Sequence, residues 1–405
     1  MTIDHDEVLR ARVLLLGSGR PSRAQLLGAY RVLAEVSPKV YVPKLVDALL
    51  TLRHETRDPE VAVALAAEAS RAARGIEVGA PDRAERLRRA LDAYQASLFA
   101  LGRRAEGRAI CAELAAAGRT EPLANVLAEE GRFGEAAKLD EAAVRNGTPE
   151  HSFWTMVRWA ANLEGAGLHD AASTVFRALL EETRRETAEQ RTALAILAWE
   201  LVHFSRMRET AGDGASAAAA RREALGVLEE LATTGEPKNW SCVLGWWRTL
   251  FVLSGRAAEP AASPESPMPP FGTALGWSRD ARDGFLGMLP DLEAEATRLR
   301  EADRLPELAD VRRRIGIRVA VREGDRPHQF AERFTPYFDE GVALARRLPD
   351  DPARLARALI DRSMFLVAAR SFEPAHTDFA EAVALLHDRR PGKPASGAAP
   401  LVVAT

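Results

Sequence analysis

The stretch Leu123-Ala-Asn-Val-Leu-Ala-Glu-Glu-Gly131-Arg-Phe133-Gly-Glu-Ala136-Ala-Lys-Leu-Asp-Glu-Ala-Ala143 decides the fold. Its apolar residues recur at three and four positions, the period of a helix buried along one face. Gly131 interrupts that pattern, with Phe133 two residues later and Ala136 five later. A glycine free to take positive φ ends a helix, and a small residue inside the next helix lets two axes approach closely. The stretch therefore predicts two helices joined by a tight turn.

The same spacing returns around Gly167, with His169, Ala172 and Phe176, and around Arg370, with Phe372, Ala375, Phe379 and Ala382. Weaker copies centre on Gly102, with Gly107 in the alanine place, and on Arg57, with Ala62, Ala66 and Ala69. Gly131 and Gly167 stand 36 residues apart. The pattern resembles the tetratricopeptide repeat, a helical hairpin of about 34 residues, in a degenerate bacterial, actinobacterial-like form. The resemblance implies an all-α solenoid of stacked hairpins, a superhelix whose concave groove takes a protein or peptide partner. Asp140 stands where the family has a large apolar residue, and Gly107 replaces the alanine, so those hairpins are expected to pack less tightly.

Helices are also predicted over 192–207 and 216–232, with Glu209–Gly214 lengthening the turn between them. Residues 240–254 read as a first helix without its second. Five prolines between Pro260 and Pro270 forbid a helix there. The expected organisation is an N-terminal array over 1–255, a proline-rich linker over 256–271, a second helical segment over 272–390 and a tail over 391–405.

Composition narrows the function. The chain has 405 residues, 47% of them hydrophobic, with net charge -3, which excludes a disordered chain and argues against a protein that neutralises nucleic-acid phosphate. Two cysteines, Cys111 and Cys242, exclude a disulfide framework and a thiolate metal site. Only five of the 55 basic residues are lysine, a bias that GC-rich coding explains. The acidic start Met1–Glu7 is unlike a signal peptide, and no apolar run reaches the about 18 residues of a membrane span. A cytoplasmic location without a membrane partner is expected.

Chemical motifs are sparse. Gly17-Ser18-Gly19 resembles a phosphate loop only briefly. It lacks the following lysine, and a helix ending near Gly17 with a new one capped by Ser22 explains it. Glu200-x-x-His203 and Glu373-x-x-His376 put a carboxylate and an imidazole on one helical face, without the further carboxylates a di-iron bundle needs. No catalytic residue, metal or cofactor is predicted, so a non-catalytic binding protein is expected. A regulatory sensor of peptides or small molecules and an enzyme with an all-helical cavity are the alternatives.

Three features are candidate partner-binding surfaces. Trp240, Trp246, Trp247 and Phe251 gather large rings on one predicted helix, with Trp277 and Phe285 nearby to cover them. Arg314, Arg318 and Arg322 recur every four residues opposite Leu308, Val311, Ile315 and Val319, a solvated stripe that can dock an anionic partner. Residues 276–390 hold 20 basic and 21 acidic side chains, so no broad field surrounds that stripe. Asn125 faces the groove if the family geometry holds. Some groups of that family clamp peptide carboxylates with an asparagine there, although the lysine and arginine that complete such clamps have no match here.

Overall fold

A computed structural model describes residues 5–17, 19–147, 152–189, 193–236, 243–269, 276–323 and 330–387. Among them the regular structure is entirely helical. The first helices are α1 (His5–Leu16), α2 (Arg23–Val36), α3 (Pro38–Glu55), α4 (Pro59–Arg74), α5 (Arg83–Ala100) and α6 (Arg104–Ala116). Then come α7 (Glu121–Glu129), α8 (Phe133–Asn146), α9 (Ser152–Gly165), α10 (His169–Ala188), α11 (Leu194–Thr210), α12 (Gly214–Thr234) and α13 (Val243–Gly255). The last are α14 (Arg279–Gly287), α15 (Leu289–Glu301), α16 (Leu305–Glu323), α17 (Phe330–Arg346), α18 (Pro352–Ala368) and α19 (Phe372–His387). No described helix is long and apolar enough to cross a membrane.

Local chemistry sets the helix ends. At α2 the Ser22 hydroxyl accepts from Gln25 N–H, and the Gln25 side chain accepts from Ser22 N–H, which closes a capping box. Asp58 caps α4 and Asp351 caps α18, each followed by a proline at the first helical position. A single turn recurs at Gly102, Gly118, Gly131, Gly167, Gly212, Asp303 and Arg370, all with positive φ. After each, the next N–H reaches the carbonyl five residues back, as Arg132 does to Leu127 and Ser371 to Leu366, both at 2.8 Å. The turns expected at Gly102, Gly131, Gly167 and Arg370 are of this kind. The expected one at Arg57 is instead a short extended link from Thr56 to the Asp58 cap.

The chain falls into two compact units, Met1–Leu168 with Pro260–Gly287, and His169–Glu259 with Met288–Thr405. These boundaries differ from the expected ones. The break after 168 falls inside the repeat copy centred on Gly167, and the proline-rich stretch divides after Glu259. In the first unit, successive helices from α1 to α9 pack on one another, and α14 packs on α5. In the second, α12 packs on α19, while α13 packs on α11, α16 and α18. The expected tail over 391–405 lies outside the described residues.

Two departures from the repeat pattern turn out to be tightly packed. Asp140 is fully buried, and its oxygens accept from Arg158 Nε at 2.8 Å and Asn162 Nδ2 at 2.7 Å. A polar network from α9 fills the place of the apolar residue. At Gly107 the space of a side chain is taken by the buried ring of Phe99, whose atoms would stand 2.9 Å from an added Cβ. On a helix interior, Gly→Ala ordinarily stabilises by about 1 kcal/mol. Gly107→Ala is expected to destabilise instead, by about 1–2 kcal/mol in urea unfolding, because the ring must shift in a close-packed core. A gain in stability would show that the ring yields.

Candidate functional site

Helix α7 is short, with Ala124, Val126, Leu127 and Ala128 buried, yet it also buries Asn125 and Glu129, and its C-cap Glu130 is buried too. Buried carboxylates demand partners, and these come from both chain segments of the first unit. Arg104 of α6 donates to Glu129 at 2.8 Å, to Glu130 at 3.1 Å and to Asp280 at 3.1 Å. Ser278 donates its N–H to Glu129 at 2.7 Å and its hydroxyl to the other Glu129 oxygen at 2.5 Å. Burial pushes the Glu129 carboxyl up to about 7, against the pull of Arg104 and Ser278.

The same helix holds the returning chain through its main chain. Met268 N–H donates to the Glu129 carbonyl at 2.9 Å, and Asn125 Nδ2 donates to the Gly276 carbonyl at 2.9 Å. A Cβ on Gly131 would stand 2.5 Å from the Ala262 carbonyl oxygen, so only glycine admits the proline-rich chain there. Residues that cannot form a helix are thus accommodated as a strap on α7, which is why Pro260–Gly287 belongs to the first unit.

Beside the strap lies a groove of about 400 Å³ lined by Arg53, Gln95, Phe99, Arg119, Asn125 and Arg279, among others. Arg53 donates to the Ser97 hydroxyl at 3.0 Å and makes no ion pair among the described residues. Burial lowers its affinity for a proton, and the charge of Arg279 adds to that. Arg119 pairs with Asp92. Asn125 Oδ1 is buried without a partner among the described residues. Arg279 pairs with Asp283 at 3.5 Å and Glu121 also lines the groove, so the half-buried Arg53 is the cation there that favours a carboxylate.

The predicted aromatic patch is interior. Trp246, Trp247 and Phe251 are buried, while Trp240 lies outside the described residues. The cover also differs from the one expected. Trp247 meets Phe330, Phe334, Phe338 and Phe365 of α17 and α18, with centroids 5.0 to 6.4 Å apart. Trp277 belongs to the first unit, where its ring stands edge-on to Phe285 at 5.9 Å.

The arginine stripe is likewise not one solvated face. Helix α16 packs on α13, α15 and α17, so it buries residues on several sides, Ile317 and Ala320 included. Arg318 is fully buried, and its two Nη atoms donate to the two oxygens of Glu259 at 2.7 Å each. Arg314 lies 3.6 Å from the same carboxylate, and Arg322 pairs at the surface with Glu323. Asp310 pairs with Arg354 and Arg357 of α18.

Among the remaining candidates, Cys111 is buried, and burial pushes its thiol up to about 12. Glu200 and His203 are both buried, but they do not share a ligand geometry. His203 Nδ1 lies 2.7 Å from Arg206, and neither Glu200 oxygen has a hydrogen-bond partner among the described residues. Burial pushes Glu200 up to about 8, with Glu186 adding and nearby Thr183 opposing. Among the described residues no three His, Cys, Asp or Glu side chains gather to hold a metal. Sequence reasoning missed Arg53, Arg104, Glu129 and Arg279. The adjacent carboxylates Glu129 and Glu130 at the end of the apolar run Val126–Ala128 were the one local sign. No family model and no curated protein matches the chain.

Removing one partner of a buried ion pair strands the other charge. Arg318→Met is therefore expected to cost about 3–5 kcal/mol in urea unfolding, and Glu259→Met in the same chain is expected to restore much of it. Glu200 generates a pH prediction. Its ordinary value is 4.5, so the unfolded chain loses that proton near pH 4.5 and the folded chain holds it to about 8. Stability from this group is full below pH 4.5 and falls as pH rises to 8, by up to about 1.4 kcal/mol per unit. Glu200→Gln is expected to match the parent near pH 4.5 and to exceed it at pH 8, as read by melting temperature. Equal pH profiles would refute the raised value, since Glu129 titrates in both proteins.

Proposed function

We propose that the chain is a non-catalytic peptide-binding protein of the tetratricopeptide type, with hairpins stacked as a solenoid, working in the cytoplasm. Its binding surface is the groove of the first unit, and its partner is an extended segment rich in carboxylates. The observation that carries this reading is that Arg53 lines the groove with no carboxylate of its own among the described residues, next to Arg279, which pairs with Asp283 at 3.5 Å. The way α7 holds the strap supports it further. Asn125 and Glu129 bind that chain through main-chain groups, a mode that takes extended segments with little regard to their side chains.

Fluorescence anisotropy with a labelled Asp-rich peptide, set against a Ser-rich peptide of equal length, tests the reading. The acidic peptide is expected to bind, and to weaken as salt rises through the screening of the exposed charges. Arg53→Glu is expected to weaken it at least about tenfold, a difference of about 1.4 kcal/mol, without moving the melting temperature by more than a degree or two. Equal binding of both peptides, or an unchanged affinity in the variant, would overturn the proposal.

A further inference from the structure

Arg53 lines a second hollow besides the groove, of about 440 Å³, whose walls include Arg23, Leu50, Glu55, Arg89 and Asp92. The same guanidinium is thus shared by two adjoining spaces of the first unit. A chain held at Arg53 lies within reach of both.

The charges of the hollow divide into matched and unmatched ones. Arg23 pairs with Glu55, and Asp92 pairs with Arg119. Arg53 uses only its Nε, on the neutral Ser97 hydroxyl. Arg89 is 51% exposed and gives one Nη to Asp47 at 3.4 Å. Arg86 holds that same carboxylate at 3.3 Å, so Asp47 keeps a partner when Arg89 turns elsewhere. A guanidinium carries five N–H donors in a fixed fork. Arg53 and Arg89 therefore both have donors left for an anionic guest.

Helix geometry fixes how these two cations are staggered. Arg53 meets Ser97 of α5, eight positions beyond Arg89 on that helix and about 12 Å along its axis. Arg89 meets Asp47 of α3, six positions before Arg53 and about 9 Å along that axis. Alternate side chains of an extended segment leave it on the same side, about 7 Å apart. Glutamate arms reach beyond that spacing, so carboxylates at i and i+2 can meet both guanidinium groups. Carboxylates at i and i+1 leave on opposite sides and cannot.

We propose that Arg89 is a second anion-binding residue of the groove, and that the partner carries two carboxylates at alternate positions, one for Arg53 and one for Arg89. The inference rests on the reading of the groove as a site for an extended acidic segment, and it adds the pattern that segment must have. One cation lets an acidic chain slide along the groove. Two staggered cations hold it in a single register.

Fluorescence anisotropy on the full chain at low ionic strength tests this with four labelled peptides of equal length. One is all serine, and the others carry a single glutamate, Glu-Glu or Glu-Ser-Glu in the same serine background. Glu-Ser-Glu is expected to bind about three- to fivefold more tightly than Glu-Glu, the size of one exposed ion pair. Arg89→Gln, at a half-exposed position, is expected to remove that preference. Arg12→Gln, which removes a charge from an exposed position of α1, is expected to keep it. Equal binding of Glu-Glu and Glu-Ser-Glu by the parent chain would show a response to net charge alone and overturn the proposal. A preference that survives Arg89→Gln would also overturn it. If Arg53→Glu still weakens the acidic peptides in that case, the groove reading stands and only the second contact is lost. Binding of the all-serine peptide as tight as that of Glu-Ser-Glu would overturn both.

Discussion

The carboxylate of Glu129 is the constraint on which the first unit depends. It is fully buried and takes donors from Arg104 and from both the main chain and side chain of Ser278. Burial of such a group is unfavourable until every lone pair is met, and then its removal is more unfavourable still. Ser278 lies 149 residues further along the chain, so meeting that demand requires the proline-rich stretch to return to α7. A single buried charge thereby makes the unit discontinuous and shapes one wall of its groove.

The second unit solves the same problem with a different pair. Glu259, at the start of the proline-rich stretch, is held by Arg318 of a helix buried on several sides. The chain on either side of that stretch is thus tied by a carboxylate–arginine contact inside its own unit, with Glu259 at its start joined to Arg318 in one, and Ser278 and Asp280 beyond its end joined to Glu129 and Arg104 in the other. What reads as a spacer is divided between two cores. The scarce rings follow similar logic, since Trp247 and its phenylalanine neighbours fill the centre around α13 and leave a cavity on one side.

Much of the helical framework was legible. The periodicity that marked α7, α8, α11, α12 and α19 is a local property, and so is the turn at Gly102, Gly131, Gly167 and Arg370. Asp303 escaped notice because nothing about an aspartate advertises a left-handed turn, although its short polar side chain tolerates one. The candidate sites were far less legible. Arg318 shares a spacing with Arg314 and Arg322, but spacing says only that side chains lie on one side of a helix. Which side meets solvent depends on how many helices surround it. Trp247 and Phe251 were singled out correctly as unusual, yet their cover came from residues about 80 to 120 positions away, where no local pattern points.

The sequence by itself determined that the chain is helical, where most helices stop, and which residues are too large or too charged to be placed casually. Those follow from periodicity, capping groups and glycine, all of which act within a few residues. Only the tertiary structure decided which charges are buried, which segment completes which unit, and where cavity and groove lie. Asp140, Glu129 and Arg318 look like surface residues in one dimension. Burial is a property of neighbours brought together in space, and the desolvation of a charge is offset only by a partner whose position the local sequence does not specify.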